Sequence, residues 1–277
     1  MMDKSVEDIV LYNGNIRGMD KLREVMPENY ISDTAREILD MQKGTVFLAS
    51  GFYVKGHPET DGPAGTWAIA KALEKLGYRP VIITDELCRG IFEDEELEVE
   101  YAAYDFDEKS ADLLLDKYKP VVMISLERCG PNSKGEYANM RGVSISEYTA
   151  PIDILFTKAS GGILTVGIGD GGNEIGMGNV ADTIRGKLSI EPCITRVGRL
   201  IISTVSNWGG YALCACWQKM TGINVLPSSD EAVGFMERAS KYGCVDGISG
   251  ENVIMEDGYN PKITSMILSQ LRDYSKE

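Results

Sequence analysis

Short apolar runs alternate with amphipathic segments along most of the chain. Runs closed by glycine or polar residues predict buried strands, and apolar spacing of about 3.6 residues predicts helices. The predicted strands are residues 44–51, 79–86, 97–104, 119–128, the run GILTVGIGD (162–170) and the start of GRLIISTVSNWGG (198–210). The predicted helices lie within 5–41, where the helix of SDTAREILDMQ starts with a Ser/Asp cap, and in 62–78, 108–118, YALCACWQKM, SDEAVGFMERASKYG and KITSMILSQLRDY. The segment IDILFTK fits either a helix or a strand.

The order of these elements predicts the fold class. Strands that alternate with helices form a parallel sheet covered by helices on both faces, with right-handed crossovers. We therefore predict an α/β protein with a doubly wound, mostly parallel sheet, a Rossmann-like three-layer sandwich. Because the chain has no internal repeat, low-complexity segment or Pro/Ser-rich linker, residues 1–277 are expected to form a single domain.

Charge and hydropathy limit the partners. The 277 residues carry 28 basic and 42 acidic side chains, a net charge of −14. This balance argues against nucleic-acid backbones and anionic membrane surfaces as partners. The acidic stretch 85–100 is predicted to be a solvated helix face. No run of about 20 apolar residues predicts a membrane span, and the N-terminus lacks a basic start followed by an apolar run, so no secretory signal is expected.

The six cysteines are scattered and form no CxxC pair. They predict reduced thiols and a cytoplasmic protein rather than a disulfide framework or a zinc site. Cys214 and Cys216 lie in an apolar helix, where core packing is the expected role.

Loops that follow the strands are the expected place for chemistry, because open parallel sheets bind ligands beyond the carboxyl ends of their strands. The first such loop, 50–65, is rich in glycine and includes Gly51, Thr60 and Gly62. Its acids Glu59 and Asp61 are candidates to cap the next helix, to hold a divalent cation or to receive a substrate ammonium. His57, the single histidine, is expected at the surface.

The second loop, 125–142, begins with charged residues at the end of a buried strand. Arg128 or Arg141 can grip a carboxylate with a bidentate fork; the structural alternative is an ion pair of either arginine with Glu127. Asn139 belongs to the same loop. Cys129 has no evident histidine partner, so a nucleophilic role is disfavoured.

The third loop, GIGDGGNEIGMGN (167–179), has six glycines in thirteen residues. Glycine allows the backbone to approach a ligand closely, and Asp170, Asn173 and Glu174 supply the functional groups between the glycines. A tight turn explains two or three glycines, so we favour a binding site. In the fourth loop, 203–213, Ser206 or Asn207 can cap the next helix, and Asn207 and Trp208 are candidate walls of the cavity.

Four motifs together resemble a known family. ETDGPAGTWAIAKALEKLG, ERCGPNSKGEYANMRG, GIGDGGNEIGMG and SNWGGYAL are similar to the D-glutamate cyclase-like domain, the C-terminal part of D-glutamate cyclase. The resemblance runs from about residue 5 to the C-terminus. The full cyclase carries a further N-terminal hydro-lyase-like domain, so the matching region is expected to be its C-terminal part alone.

The resemblance implies conversion of D-glutamate to 5-oxo-D-proline with loss of water, a hydro-lyase reaction. For this reaction, the candidate acids and bases are Glu127, Asp170 and Glu174. The backbone N–H groups of Gly171, Gly172 and Asn173 are a candidate oxyanion site, and the charged residues above are candidates to bind the carboxylates and the ammonium of the substrate. The full set of expected binding residues is Gly51, Glu59, Thr60, Asp61, Gly62, Arg128, Asn139, Arg141, Gly171, Gly172, Asn173, Asn207 and Trp208.

Two other classes of function fit the same residues. One is a metal-dependent enzyme acting on a phosphorylated metabolite or nucleotide, with Asp61, Asp170 and Glu174 as candidate ligands of Mg²⁺ or Mn²⁺. The other is a non-catalytic module that binds an amino acid. The expected partner is a small-molecule substrate, an acidic amino acid in the favoured interpretation, and a homodimer is a candidate assembly.

Overall fold

A six-stranded parallel sheet forms the centre of the protein in this computed structural model, which describes residues 4–276. Residues 1–3 and 277, the ends of the predicted domain, lie outside the described residues. The strands are β1 (Thr45–Ala49), β2 (Arg79–Asp85), β3 (Val99–Ala102), β4 (Val122–Leu126), β5 (Leu164–Gly169) and β6 (Arg199–Ile202). A small separate hairpin pairs Tyr53–Val54 with His57–Pro58.

The spatial order of the strands is β3-β2-β1-β4-β5-β6, and every pair is parallel. Along the chain, β2 and β3 are added on one side of β1, and β4, β5 and β6 are then added on its other side. The doubly wound, Rossmann-like prediction is confirmed by this order. The direction reverses between β1 and β4, so a crevice is expected where these two strands end.

Ten helices are found within residues 4–276. They are α1 (Val6–Val10), α2 (Met19–Arg23), α3 (Tyr30–Asp40), α4 (Pro63–Lys75), α5 (Glu108–Tyr118), α6 (Asp153–Thr157), α7 (Ala181–Lys187), α8 (Ser206–Thr221), α9 (Ser229–Lys241) and α10 (Pro261–Tyr274). Short 3₁₀ turns occupy Glu86–Cys88, Glu93–Glu95, Ser146–Tyr148 and Met177–Val180.

Alternation of side chains along the strands creates two cores, because successive residues point to opposite faces of a sheet. Val46 and Leu48 of β1 belong to the core that includes buried residues of α1, α3, α4, α8, α9 and α10. Phe47 and Ala49 of the same strand pack on the other face, with α5 and α6. The three-layer arrangement follows from this division.

Twelve of the sixteen residues of α8 are buried, and Trp208 and Trp217 are among its fully buried side chains. Cys214 and Cys216 lie in its interior turns, so their predicted packing role is confirmed. All six cysteines are free and buried. None of the helices between residues 4 and 276 combines the length and the apolar character that crossing a bilayer requires.

Some local predictions are corrected. Helix α3 begins at Tyr30 after Asn29, so Ser32 and Asp33 lie inside the helix and do not cap it. The acidic stretch 85–100 is not a helix face, because it forms two 3₁₀ turns and then leads into β3. Within it, Glu95 accepts a hydrogen bond of 2.9 Å from the indole N–H of Trp67. The ambiguous segment IDILFTK contains the short helix α6.

Close packing of α4 against α8 depends on a glycine in each helix. A Cβ atom on Gly65 would lie 2.9 Å from Asn207 Cα and 3.1 Å from Asn207 O, and a Cβ on Gly210 would lie 3.1 Å from Gly65 Cα. Backbone atoms cannot move aside as a flexible side chain can. The two helices therefore approach each other at a distance that only glycine allows.

We predict that Gly65→Ala destabilises the fold by about 1–3 kcal/mol, the usual cost of overpacking. The matched control is Gly186→Ala in α7, where a Cβ would meet no atom within 4 Å; it should be neutral or stabilise by about 0.4–1 kcal/mol. Denaturant unfolding of both variants measures the difference. Equal stability of the two variants would contradict this account of the α4–α8 contact.

Candidate active site

A cavity of about 630 Å³ opens beyond the carboxyl ends of β1, β4 and β5. Its position matches the crevice expected at the reversal of strand order. Its lining combines apolar and aromatic side chains with charged groups. The lining residues are Arg17, Phe52, Tyr53, Val54, Lys55, Glu59, Glu127, Asn139, Met140, Arg141, Val143, Ser144, Ile145, Tyr148, Asn173, Gly247, Ile248 and Asp257.

Three buried acids converge next to this cavity. One carboxylate oxygen from each of Asp61, Glu127 and Asp170 lies within 4.8 Å of the other two, and we call these residues the carboxyl triad. Asp61 is in the loop after β1, Glu127 directly follows β4, and Asp170 directly follows β5. The sheet thus collects acids that lie far apart in the chain.

Asp61 caps a helix, although not the one expected. Its Oδ1 accepts hydrogen bonds from the backbone N–H of Asn207 at 2.7 Å and of Gly62 at 2.9 Å. Its Oδ2 accepts from the N–H of Ser206 at 2.8 Å. These donors include the free N–H groups at the start of α8, whose partial positive charge stabilises a carboxylate. Asp61 therefore caps α8, although it precedes α4 in the chain.

Glu127 has an unusual backbone conformation. Its φ of 47° lies in the left-handed region, which costs a non-glycine residue on the order of 1–3 kcal/mol and is concentrated at functional sites. The Ser206 hydroxyl donates to its Oε2 at 2.6 Å. Gly62 makes room for it, because a Cβ there would lie 2.9 Å from Glu127 Cβ. The strained backbone directs this carboxyl group to the cavity.

Asp170 links the carboxyl triad to the guanidinium of Arg17. Its Oδ2 pairs with Arg17 Nη1 at 2.6 Å, whereas its Oδ1 is buried and has no hydrogen-bond partner among the described residues. A buried oxygen without a partner is costly. This oxygen is therefore available to a proton, a cation or a substrate group.

Glu174 closes the glycine-rich loop. Its Oε1 accepts from the N–H of Gly171 at 2.7 Å, and its Oε2 accepts from the N–H of Gly172 at 2.7 Å. These two backbone donors, expected to form an oxyanion site with Asn173, are thus occupied by Glu174. Of the three candidate metal ligands, Asp61 and Asp170 belong to the carboxyl triad, and its third member is Glu127 instead of Glu174. The side chain of Asn173 donates to Ala138 O at 2.9 Å and lies at the cavity wall.

Close folding explains part of the glycine content of 167–179. The loop returns directly over its own strand, so a Cβ on Gly167 would lie 2.4 Å from Ile175 O. At this position glycine is required by backbone packing.

Arg128 lies inside the fold and not in the cavity. Its Nη1 donates to Asp85 Oδ2 at 2.6 Å and to Gly51 O at 2.9 Å, and its Nη2 donates to Ala150 O at 2.7 Å. Arg128 therefore neither faces the cavity to bind a substrate carboxylate nor forms the alternative ion pair with Glu127, because its guanidinium pairs with Asp85. Gly51 supports Arg128 through its carbonyl group and does not line the cavity.

Asn139 and Arg141 are at the mouth of the cavity. Asn139 Oδ1 accepts from the N–H of Arg141 at 2.9 Å and of Val143 at 3.1 Å, which fixes a tight turn. Arg141 is exposed. Of the two arginines expected to bind a carboxylate, Arg141 is the one that lines the cavity.

Asn207 and Trp208 support the site from behind. Asn207 Oδ1 accepts from the N–H groups of Gly62 and Gly65, and its Nδ2 donates to Thr60 O and to Glu256 Oε2. The Trp208 indole donates to Glu256 Oε1 at 2.8 Å. Both residues were expected to wall the cavity. Instead they hold the loop that carries Asp61.

Three charged residues of the cavity lining were not among the predicted site residues. One of them, Lys55, lies in the turn of the hairpin that pairs Tyr53–Val54 with His57–Pro58. Arg17 comes from the loop between α1 and α2, and Asp257 comes from the segment before α10. Arg17 Nη1 pairs with Asp257 as well as with Asp170. The glycine- and asparagine-rich sequence around Arg17 marks an irregular loop, which was the one available signal.

Burial controls the protonation of the acids. Burial, and then the charge of Asp61, raise the pKa of Glu59 to about 8; burial, and then Glu256, raise the pKa of Asp61 to about 7. Burial and the neighbouring Asp170 raise the pKa of Glu127 well above its usual value. Burial also raises the pKa of Asp170, although Arg17 opposes this. The cluster therefore retains protons near neutral pH unless a cation replaces them.

Cys129 and His57 are not members of the acidic cluster. Burial raises the pKa of the Cys129 thiol well above its usual value, and its sulfur contacts the carbonyl of Ala138 at 3.5 Å. A buried, protonated thiol is a poor nucleophile. His57 is exposed, as expected.

The fold and the site define a Rossmann-like α/β protein with a buried acidic site at the reversal of its strand order. The sequence profile of the family described as D-glutamate cyclase-like, C-terminal, matches residues 6–272. The chain belongs to this family, which confirms the resemblance found in the sequence.

The known proteins to which the chain is similar include a human protein and a bacterial protein of known structure. The human protein named D-glutamate cyclase, mitochondrial, is 34% identical over 202 residues, which are 62% of this chain and 32% of the human protein. The match thus spans about a third of that relative. The crystal structure of an exopolyphosphatase-related protein from Bacteroides fragilis superposes with a TM-score of 0.43 at 12% identity, covering 90% of this chain and 58% of that one.

We predict that Asn207→Ala destabilises the protein by at least about 2 kcal/mol, because it leaves buried donors and acceptors of the Asp61 loop without partners. The control is Asn224→Ala, an exposed residue expected to change stability by less than about 0.5 kcal/mol. Urea unfolding followed by circular dichroism provides the measurement. If both variants unfold at the same midpoint, Asn207 does not hold the loop in place.

Proposed function

We propose that the chain is a lyase-type enzyme that cyclises D-glutamate to 5-oxo-D-proline with loss of water. The observation that carries the proposal is the carboxyl triad beside a cavity at the reversal of strand order. Membership of the D-glutamate cyclase-like family and the similarity to human D-glutamate cyclase support it.

The reaction requires proton transfer at two positions of the substrate. The α-ammonium nitrogen loses two protons and bonds to the carbon of the side-chain carboxylate. One oxygen of that carboxylate leaves as water after gaining two protons, so no net proton is consumed. Carboxyl groups with different pKa values can accept from one position and donate to the other.

Glu127 and Glu59 are the acids that face the cavity and have the required properties. The raised pKa of Glu127 keeps a proton available for the departing oxygen, and its Oε2 is oriented by Ser206. Glu59 lies on the cavity wall with a pKa of about 8, close to neutral pH, which suits a group that takes protons from the amine. The negative charge of the cluster favours a substrate ammonium.

The carboxyl triad also fits a divalent cation. Carboxylate oxygens are the ligands that Mg²⁺ and Mn²⁺ prefer, and Asp170 Oδ1 is buried without a partner. Asp61, Glu127 and Asp170 would hold the ion, which would supply positive charge to polarise a carboxyl oxygen. In that state Glu59, which is not part of the triad, retains its role in proton transfer.

We predict that purified protein forms 5-oxoproline from D-glutamate, tested with and without Mg²⁺ or Mn²⁺ by mass spectrometry. Glu127→Gln should reduce kcat roughly 100-fold or more, because an amide has a similar shape but cannot exchange the proton. The control Glu237→Gln changes an exposed residue of α9 and should retain full turnover.

Three outcomes of this assay separate the candidate functions. Product from D-glutamate supports the cyclase. Thermal stabilisation by an amino acid without product indicates a binding module. Absence of product and of stabilisation with both enantiomers of glutamate, with and without metal, contradicts the proposed function.

We predict that Mn²⁺ raises the thermal unfolding temperature of the protein and that a chelator reverses the shift, because an ion bound only to the folded state stabilises it. Asp170→Asn should remove most of the shift, since it replaces a charged ligand by an amide. Asp182→Asn, at a fully exposed site in α7, is the control and should keep it. An equal shift in both variants would place the ion elsewhere.

A further inference from the structure

Arg17 is the buried guanidinium closest to the carboxyl triad. It reaches the cavity from the loop between α1 and α2, and its side chain is only 12% exposed. The carboxylates around it, Asp170 first among them, outweigh the effect of burial and raise its pKa further, so it stays positively charged. A buried arginine at a cavity wall is suited to recognise an anionic group of a ligand.

The nitrogens of this guanidinium are used unevenly. Nη1 bonds to Asp170 and Asp257. Nε is buried and has no hydrogen-bond partner among residues 4–276. The hydrogen bond of Nη2 goes to the sulfur of Met140, and a thioether is a weak acceptor. The Nε–Nη2 edge, which matches the two oxygens of a carboxylate, is thus left without an oxygen partner.

Met140 can leave this position at little cost. It lines the cavity, it is 36% exposed, and its unbranched side chain adapts easily to other rotamers. The backbone on either side is held independently, because Asn139 Oδ1 accepts from the N–H groups of Arg141 and Val143. Movement of the thioether therefore does not require the loop to unfold.

We propose that the Nε–Nη2 edge of Arg17 binds the α-carboxylate of the amino-acid substrate and that the Met140 side chain occupies this position until the substrate displaces it. This inference rests on the proposed function, since it assigns a residue for substrate selection at the same site. Asp170 and Asp257 hold the guanidinium from its other side and fix its orientation.

The α-carboxylate is the appropriate group for this position because it is unchanged by the reaction, whereas the side-chain carboxylate loses an oxygen. Arg17 also touches Asp170, a member of the triad. A substrate anchored at Arg17 therefore has its α-amine and its side chain next to the acids that move protons. The arginine selects for the α-carboxylate and positions the reacting ends.

The test compares the binding of D-glutamate and of its α-amide by calorimetry, and the 5-oxoproline formed from D-glutamate is measured in parallel. Wild-type protein should bind D-glutamate more tightly than the α-amide. Arg17→Lys keeps the charge but loses the planar fork. It should weaken D-glutamate binding roughly 10- to 100-fold and change α-amide binding little, because charge-assisted hydrogen bonds to the carboxylate are lost.

Two controls make the result specific to this edge. Arg89→Lys, in an exposed pair with Glu86, should leave the preference for D-glutamate intact. Met140→Ala should tighten D-glutamate binding, because no side chain has to be displaced, whereas Met140→Leu should not. The Met140 variants change a half-exposed side chain and remain informative if Arg17→Lys does not fold.

An unchanged preference in folded Arg17→Lys, or loss of the preference in Arg141→Lys instead, overturns the proposal. Equal binding of D-glutamate and its α-amide by the wild type, or binding of neither, also overturns it. Selective binding that depends on Arg17 without any 5-oxoproline supports the proposal while contradicting the cyclase activity, so the two failures are distinguishable.

Discussion

Carboxyl groups that are buried side by side cannot all remain ionised, because each charge loses its hydration and repels its neighbours. In this protein Glu59, the carboxyl triad and Asp257 meet one buried guanidinium, that of Arg17, beside one cavity, whereas the other cations of the lining, Lys55 and Arg141, are exposed to solvent. One positive charge does not neutralise this number of acids. Protons, a bound cation or a substrate ammonium must supply the rest, and each of these is useful to an enzyme acting on an amino acid.

The sheet topology produces this concentration of charge. Because the order of strands reverses between β1 and β4, the chain leaves the two strands in opposite directions and opens a crevice. Asp61, Glu127 and Asp170 each follow a different strand at this edge. The left-handed backbone of Glu127 and the cap that Asp61 makes on α8 show that the fold accepts local costs to keep these acids in place.

Much of the architecture could be predicted from sequence because buried parallel strands are continuous apolar runs and helices have a regular period. The rule that loops after parallel strands meet at one edge of the sheet also predicted that Asp61, Glu127 and Asp170 lie close together. Contacts between irregular segments have no such pattern, so the pairing of Arg128 with Asp85 and the entry of Arg17 into the cavity were missed. Glu174 fitted a catalytic role by composition alone, and only the hydrogen bonds of its loop reveal its structural function.

Infrared difference spectroscopy of the carboxyl C=O stretch tests the central claim most directly. The account predicts that metal-free protein at neutral pH has a signal from protonated carboxyl groups, that part of it is absent in Glu127→Gln, and that a divalent cation removes more of it. Identical spectra of the wild type and Glu127→Gln in this region would mean that Glu127 is ionised, and would contradict the account.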